Sequence, residues 1–344
     1  MVETDALWRA AGSTAGPVVP RPTGRLAPSP TGRLHLGHGR SFLLAWLAAR
    51  SQGGRLWLRL EDLDRSRVRP EYTDQILADL EWLGLDWDGE PLVQSADEEP
   101  YAAALDALLR AGHAYPCVCS RSDIAARVDA PQAGDGERHY PGTCRGRFDS
   151  MDSAERATGR PAGVRLLVPA GVRSVADGVV GEVHEDTAEV TGDLLLLRRD
   201  RVYSYHFAVV VDDARQGVTQ VLRGDDLATS AVRQAHLQRA LGLPHPNWAH
   251  VPLVVDRDGR RLAKRAGDLG LGELRERGVD ARHLVGALAA SAGLLERPAP
   301  VEPRELLASF DLKRLPRAPA VVDGDEPGAL PLAAVLHASG VDLV

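Results

Sequence analysis

The chain has 344 residues, 44% of them hydrophobic and 26% charged, long enough for a few structural units around a sizeable core. A formal net charge of −7 argues against a broad, sequence-independent grip on nucleic acid, because that grip comes from neutralising phosphates with lysine and arginine; only a local basic face is compatible with it. No uninterrupted apolar run approaches bilayer length, and residues 1–20 carry Glu3, Asp5 and Arg9 without a long apolar centre, so a cytoplasmic protein with no membrane association is expected.

Residues 1–22, rich in Gly, Pro and Thr with little periodicity, read as a loose leader. Residues 23–116 alternate strand and helix. A short strand at Gly24–Ala27 leads into a helix in which Phe42, Leu43, Trp46 and Leu47 recur at helical spacing. A strand at Arg55–Leu60 follows, then helices around Tyr72–Leu83 and Ala102–Ala111. This alternation predicts an α/β fold, the first half of a doubly wound parallel sheet with crossover helices. Residues 117–190 break the rhythm with Gly, Pro and short strand-like runs such as Val164–Val168, and read as an insertion. Residues 191–266 resume the sheet at Val202–Val211 and close it near Lys264. Residues 267–344 read as helices at Leu271–Arg277, Ala281–Leu295 and Pro303–Phe310, followed by a short tail rich in Ala, Pro and Gly.

Two sets of residues carry chemistry. His35-Leu36-Gly37-His38-Gly39 stands where the first apolar helix begins. Unpaired first-turn N–H groups and the helix dipole favour anions there. Gly37 and Gly39 permit close approach of a nucleotide, and His35 and His38 can donate to phosphate oxygens; the plainer reading is a Gly-rich turn with a helix-capping histidine. The three cysteines, Cys117, Cys119 and Cys144, lie in one stretch. An odd count in a cytosolic chain disfavours a disulfide framework, and three thiolates plus one further donor would complete a structural zinc site; the alternative is free cysteines without metal. By general ligand chemistry His139 is the better fourth donor, since a phenol must lose its proton to serve.

The segment from Arg25 to Gly39, with Ala27-Pro28-Ser29-Pro30-Thr31-Gly32 inside it, resembles the HIGH signature of class I aminoacyl-tRNA synthetases in its glutamyl-specific form. Four further runs match that family in order: Arg59-Leu60-Glu61-Asp62-Leu63-Asp64, Tyr205 to Asp213, Leu222-Arg223-Gly224-Asp225-Asp226-Leu227, and Arg261-Leu262-Ala263-Lys264-Arg265. The last departs from the KMSKS form, keeping its second lysine as Lys264 and replacing the first with Arg261.

The resemblance implies a Rossmann-type catalytic domain that joins ATP, accompanied by Mg2+, to L-glutamate. His35, Gly37, His38 and Lys264 would hold the ATP phosphates, with His35, His38 and Lys264 assisting catalysis. Arg25, Ala27, Ser29, Glu61, Tyr205 and Arg223 would contact glutamate. Without the resemblance, Glu61 reads as a surface ion-pair member, Arg223 as a partner of Asp225, and Tyr205 as a core aromatic. The cysteine stretch resembles that of the glutamyl-queuosine tRNA(Asp) branch, whose ligand spacing maps onto Cys117, Cys119, Tyr140 and Cys144, which makes Tyr140 the fourth zinc ligand with His139 as substitute. The tail after Pro316 is too short for the anticodon-reading domain of a full glutamyl-tRNA synthetase. This points to a monomer that glutamylates queuosine in the anticodon arm of tRNA(Asp). A truncated enzyme charging the 3′ end of tRNA(Glu), and a non-catalytic amino-acid or RNA-binding module, are the competing readings.

Overall fold

A computed structural model describes residues 21–126, 139–262, 270–324 and 328–341. β1 (Thr23–Leu26) runs into α1 (Leu36–Arg50), followed by β2 (Arg55–Leu60), α2 (Pro70–Trp82), the short β3 (Leu92–Val93) and α3 (Glu99–Arg110). β1, β2 and β3 form a parallel sheet in that order. Helix α1 is buried on almost every side: Leu43, Leu44, Trp46 and Leu47 all lie in the main core with Leu26, Leu56, Leu58 and Ile76. The indole N–H of Trp46 donates to Asp86 Oδ1 at 2.9 Å.

Next come β4 (Ala114–Cys117), α4 (Arg121–Ala125), α5 (Met151–Thr158), β5 (Gly163–Leu166), the hairpin of β6 (Arg173–Asp177) and β7 (Gly181–Glu185), α6 (Thr187–Val190) and β8 (Leu195–Leu197). β4, β5 and β8 make a small antiparallel sheet. The hairpin belongs elsewhere. After α7 (Tyr205–Arg215), β9 (Gln220–Gly224), α8 (Ala228–Leu241) and β10 (Asn247–Val251), a four-stranded sheet of order β7-β6-β10-β9 joins the hairpin to the second half of the fold. The stretch 117–190 therefore supplies strands to the large sheet as well as the unit that carries the cysteines.

The two parallel systems meet at β1 and β9, where Thr219 N–H donates to Thr23 O at 2.9 Å and Thr23 N–H donates to Thr219 Oγ1 at 2.9 Å. β11 (Val254–Val255), α9 (Leu271–Glu276), α10 (Ala281–Ser291), β12 (Ala320–Val321) and α11 (Leu332–Ala338) complete the chain. Arg40 of α1 ties this part to the sheet: its guanidinium donates to Pro252 O at 2.6 Å and to Ser291 O at 3.3 Å. Among the described residues no helix is long and apolar enough to cross a membrane.

Two expectations from the sequence need correction. The run Val202–Val211 is not a returning strand: Tyr205–Arg215 is helix α7, with Phe207 and Val209 to Val211 buried. A continuous apolar run carries no period that separates a buried strand from a buried helix, and packing of α7 against α3 and α8 decides it. At Pro303–Phe310 only Pro303–Leu306 is helical, as a single 3₁₀ turn.

Candidate active site and cysteine centre

His35 is the N-cap of α1, in extended conformation. Its ring Nδ1 accepts from Gly37 N–H at 3.1 Å, while His38 Nδ1 accepts from His35 N–H at 3.2 Å, so the two histidines cap the helix reciprocally. Their ring centroids are 3.8 Å apart. A Cβ at Gly37 would stand 3.0 Å from the His35 ring, a tight contact that the ring would have to give way to. One first-turn N–H that the sequence reading offered to an anion is thus used by His35 itself. The turn is pinned from outside, because Leu271 N–H donates to Leu34 O at 2.8 Å and Gly270 bridges His35. Lys264 lies outside the described residues; before it, Arg261 pairs with Asp226 at 2.6 Å.

The residues assigned to glutamate gather at the carboxyl ends of the parallel strands, where open α/β sheets bind ligands. Arg25 is the penultimate residue of β1, Arg223 is in β9, and Tyr205 opens α7. Half-buried Ala27 and exposed Ser29 lie in the loop after β1, and Pro28 O in that loop accepts Glu61 N–H at 3.0 Å beyond the end of β2. Glu61 is not a surface ion pair. Its side chain is largely buried, 3.4 Å from fully buried Arg59. Burial raises the Glu61 carboxyl above its ordinary range, with Arg59 and Arg25 pulling the other way.

The residues that hold this group carry no role legible in the sequence alone. Arg59 pairs with Asp213 at 2.8 Å and with Asp212 at 4.0 Å, and donates to Gln216 Oε1 at 2.8 Å. Asp212 also accepts from Gln94 at 2.7 Å and from the Tyr101 hydroxyl at 2.8 Å. Arg25 stands 3.6 Å from Asp213 and donates to Leu222 O at 3.3 Å. Burial, with the nearby Arg59 and Arg223 charges, lowers the Arg25 guanidinium from its ordinary value although Asp213 opposes this. Asp212 and Asp213 stand at the end of the Tyr205 motif, and that adjacency was the available signal.

Arg223 is different. Its Nε donates to His250 Nε2 at 3.0 Å, Nη1 to the Tyr205 hydroxyl at 3.4 Å and Nη2 to Leu227 O at 3.2 Å, all neutral acceptors. Among the described residues no carboxylate lies within ion-pair distance, so the alternative pairing with Asp225 is not made. A buried guanidinium without a counter-charge is costly, and an incoming carboxylate relieves that cost.

In the cysteine unit the Cys117, Cys119 and Cys144 sulfurs lie within 4.8 Å of one another, and Cys119 and Cys144 are 3.6 Å apart. Tetrahedral thiolates at metal–sulfur distances of about 2.3 Å stand about 3.8 Å apart, so the three can hold a metal ion. The Tyr140 hydroxyl is 3.3 Å from Cys117 Sγ and 3.9 Å from Cys119 Sγ, and accepts Cys144 N–H at 2.9 Å. His139 is not among the donors that converge there. The Arg165 guanidinium lies 3.9 Å from the Tyr140 ring centroid, a cation–π contact. Asp193 anchors the unit, taking Arg145, the Tyr115 hydroxyl and Val168 N–H.

Comparison with known proteins decides the family. The profile of class I tRNA synthetases (E and Q), catalytic domain, matches residues 23–321. A protein named glutamyl-Q tRNA(Asp) synthetase from Symbiobacterium thermophilum is 45% identical, over 89% of this chain and 98% of its own length. The chain belongs to the glutamyl-Q tRNA(Asp) synthetase family. Another relative of that name, from Nocardia farcinica, is 47% identical over 87% of this chain and 92% of its own. The fold is that of the wider class: a glutamate tRNA ligase from Elizabethkingia meningosepticum, solved in complex with its amino acid, superposes with a TM-score of 0.75 at 25% identity, covering 88% of this chain and 67% of that one. The family profile and the likeness to the glutamate tRNA ligase bear out the doubly wound α/β reading and the resemblance to class I synthetases.

Proposed function

We infer that the chain activates L-glutamate with ATP and transfers the glutamyl group to queuosine in the anticodon loop of tRNA(Asp). In the first step an α-carboxylate oxygen of glutamate attacks the α-phosphorus and pyrophosphate leaves. In the second a hydroxyl of the cyclopentene-diol attacks the acyl carbon and AMP leaves. Neither step needs a nucleophilic side chain; positioning and charge stabilisation suffice. The observation that carries the amino-acid side is the buried, uncompensated Arg223 facing Tyr205 beside Arg25 and Glu61. Arg223 and Arg25 are suited to the side-chain carboxylate and Glu61 to the ammonium. The α-carboxylate would then meet ATP phosphates held by His35, Gly37 and His38, with Lys264 completing the phosphate contacts and Mg2+ accompanying the nucleotide.

The acceptor is supported by the relatives of that name, matched over nearly their whole length. Zinc is the metal that suits Cys117, Cys119, Cys144 and Tyr140, in a structural role. The reaction belongs to the cytoplasm, where charged nucleotides and tRNA are found. The test is transfer of labelled glutamate to tRNA(Asp) with and without queuosine, beside tRNA(Glu). Label that requires queuosine supports the reading. Label on tRNA(Glu) that is blocked by prior periodate oxidation of the 3′ end would mean a compact synthetase instead.

A further inference from the structure

We propose that Asp177 and His250 are positioning residues that fix Arg223 so that an end-on pair of N–H groups faces the side-chain carboxylate of glutamate. The inference rests on the glutamate reading above. The three residues lie on three adjacent strands, Asp177 closing β6, His250 in β10 and Arg223 in β9, with His250 directly beside Arg223 in the parallel register. They form one chain of hydrogen bonds. Asp177 Oδ2 is 2.6 Å from His250 Nδ1, and His250 Nε2 is 3.0 Å from Arg223 Nε.

The direction of each bond follows from what each group can do. Arg223 Nε can only donate, so His250 Nε2 must be the acceptor. The imidazole is then neutral with its proton on Nδ1, which Asp177 Oδ2 accepts. The other oxygen of Asp177 is committed to backbone, accepting N–H groups of Val179 at 2.9 Å, Val180 at 3.0 Å and His250 at 3.1 Å. The carboxylate therefore cannot rotate, and the tautomer is locked. Burial lowers the proton affinity of His250, and the Arg223 charge adds to this against the pull of Asp177, which keeps the ring neutral.

A guanidinium has five N–H groups. His250 takes the one on Nε, and Tyr205 and Leu227 take one from each terminal nitrogen. One N–H remains on Nη1 and one on Nη2, enough to donate to both oxygens of a carboxylate. Neither Asp177 nor His250 can touch the substrate, because both side chains are fully buried. Their effect passes through Arg223.

The test uses ATP–pyrophosphate exchange with glutamate and ATP varied separately, in the full chain. Asp177→Asn keeps the shape, but its oxygen is held by three backbone donors, so its NH2 group faces Nδ1. His250 must then carry its proton on Nε2, donor against donor at Arg223. KM for glutamate is expected to rise roughly ten- to hundredfold, with KM for ATP unchanged. His250→Gln, which can return an acceptor to Arg223, should be milder than His250→Asn, which returns only a donor to Asp177. Unchanged glutamate KM in a folded Asp177→Asn protein overturns the proposal, as do equal losses in both histidine variants affecting ATP and glutamate alike. A second measurement needs no variant: 15N shifts of labelled histidine should report His250 as the Nδ1–H tautomer, and an Nε2–H tautomer overturns the assignment. Wild-type protein with no glutamate-dependent exchange at all would instead remove the glutamate reading itself.

Discussion

Replacing Arg59 with methionine tests whether the buried charge cluster under the glutamate residues is as tightly balanced as its geometry implies. The guanidinium is fully buried and stands against Asp213 at 2.8 Å, Glu61 at 3.4 Å and Asp212 at 4.0 Å. Methionine fills most of the same space, so the loss is of charge and hydrogen bonds. Asp213 retains Arg25 at 3.6 Å and Asp212 retains Arg215 at 3.4 Å, whereas Glu61 loses its nearest counter-charge. Removing one partner of a buried pair costs about 3–5 kcal/mol. With an unfolding entropy of about 0.7 kcal/mol/K for a chain of this length, Tm should fall by about 4–7 °C. The pH dependence identifies the cause. Burial already raises the Glu61 and Asp212 carboxyls and Arg59 opposes this; without Arg59 their folded-state pKa values lie further above the unfolded ones, so the folded form binds more protons and stability is lost as pH rises through that window. The Tm deficit should therefore be larger at pH 8 than at pH 5, and Arg59→Lys should recover part of it. Thermal melts of the three proteins at both pH values make the measurement. A deficit below 1 °C, or one independent of pH, would refute the electrostatic account.

Lys264→Ala should abolish most glutamate-dependent pyrophosphate exchange; retained exchange removes Lys264 from the proposed phosphate contacts. Purified protein should carry one zinc per chain by elemental analysis, and Cys119→Ser should lower zinc affinity and Tm together; a metal-free preparation with unchanged Tm counts against a structural metal. Gly192→Ala should destabilise the cysteine unit, because Gly192 has φ of +70° and an added Cβ would stand 2.0 Å from Tyr140 O, across the bridge that holds Tyr140. A Gly192→Ala protein with wild-type zinc content and Tm would contradict that placement.

The sequence made the first motif legible because its signals are local: Gly37, His38 and the apolar spacing of Leu43, Trp46 and Leu47 lie within one helix and its cap. β2 was equally legible from its alternating leucines. Helix α7 was not, since four consecutive buried apolar residues from Ala208 to Val211 have no period to read. The charge cluster was half legible. Glu61 and Arg223 could be nominated by resemblance, but their burial and partners depend on strands brought together from distant parts of the chain. Asp177 and His250 are 73 residues apart, and nothing in either neighbourhood marks them as a pair. General ligand chemistry favoured His139 and the family's spacing favoured Tyr140; in the fold it is the Tyr140 hydroxyl that lies against the sulfur cluster.

The seam between β1 and β9 has a consequence for biosynthesis. Arg25 and Leu222, bonded across it, are 197 residues apart, and Arg40 reaches Pro252 over 212. Such contacts close late, because loop-closure entropy must be overcome before they reward the chain. A ribosome that has released only the first two hundred residues has made the turn at His35 and His38 but not the cluster around Tyr205 and Arg223. The nascent chain must wait with the apolar flank of β1 uncovered until β9 and β10 emerge, and in that interval it is most exposed to aggregation and to chaperones.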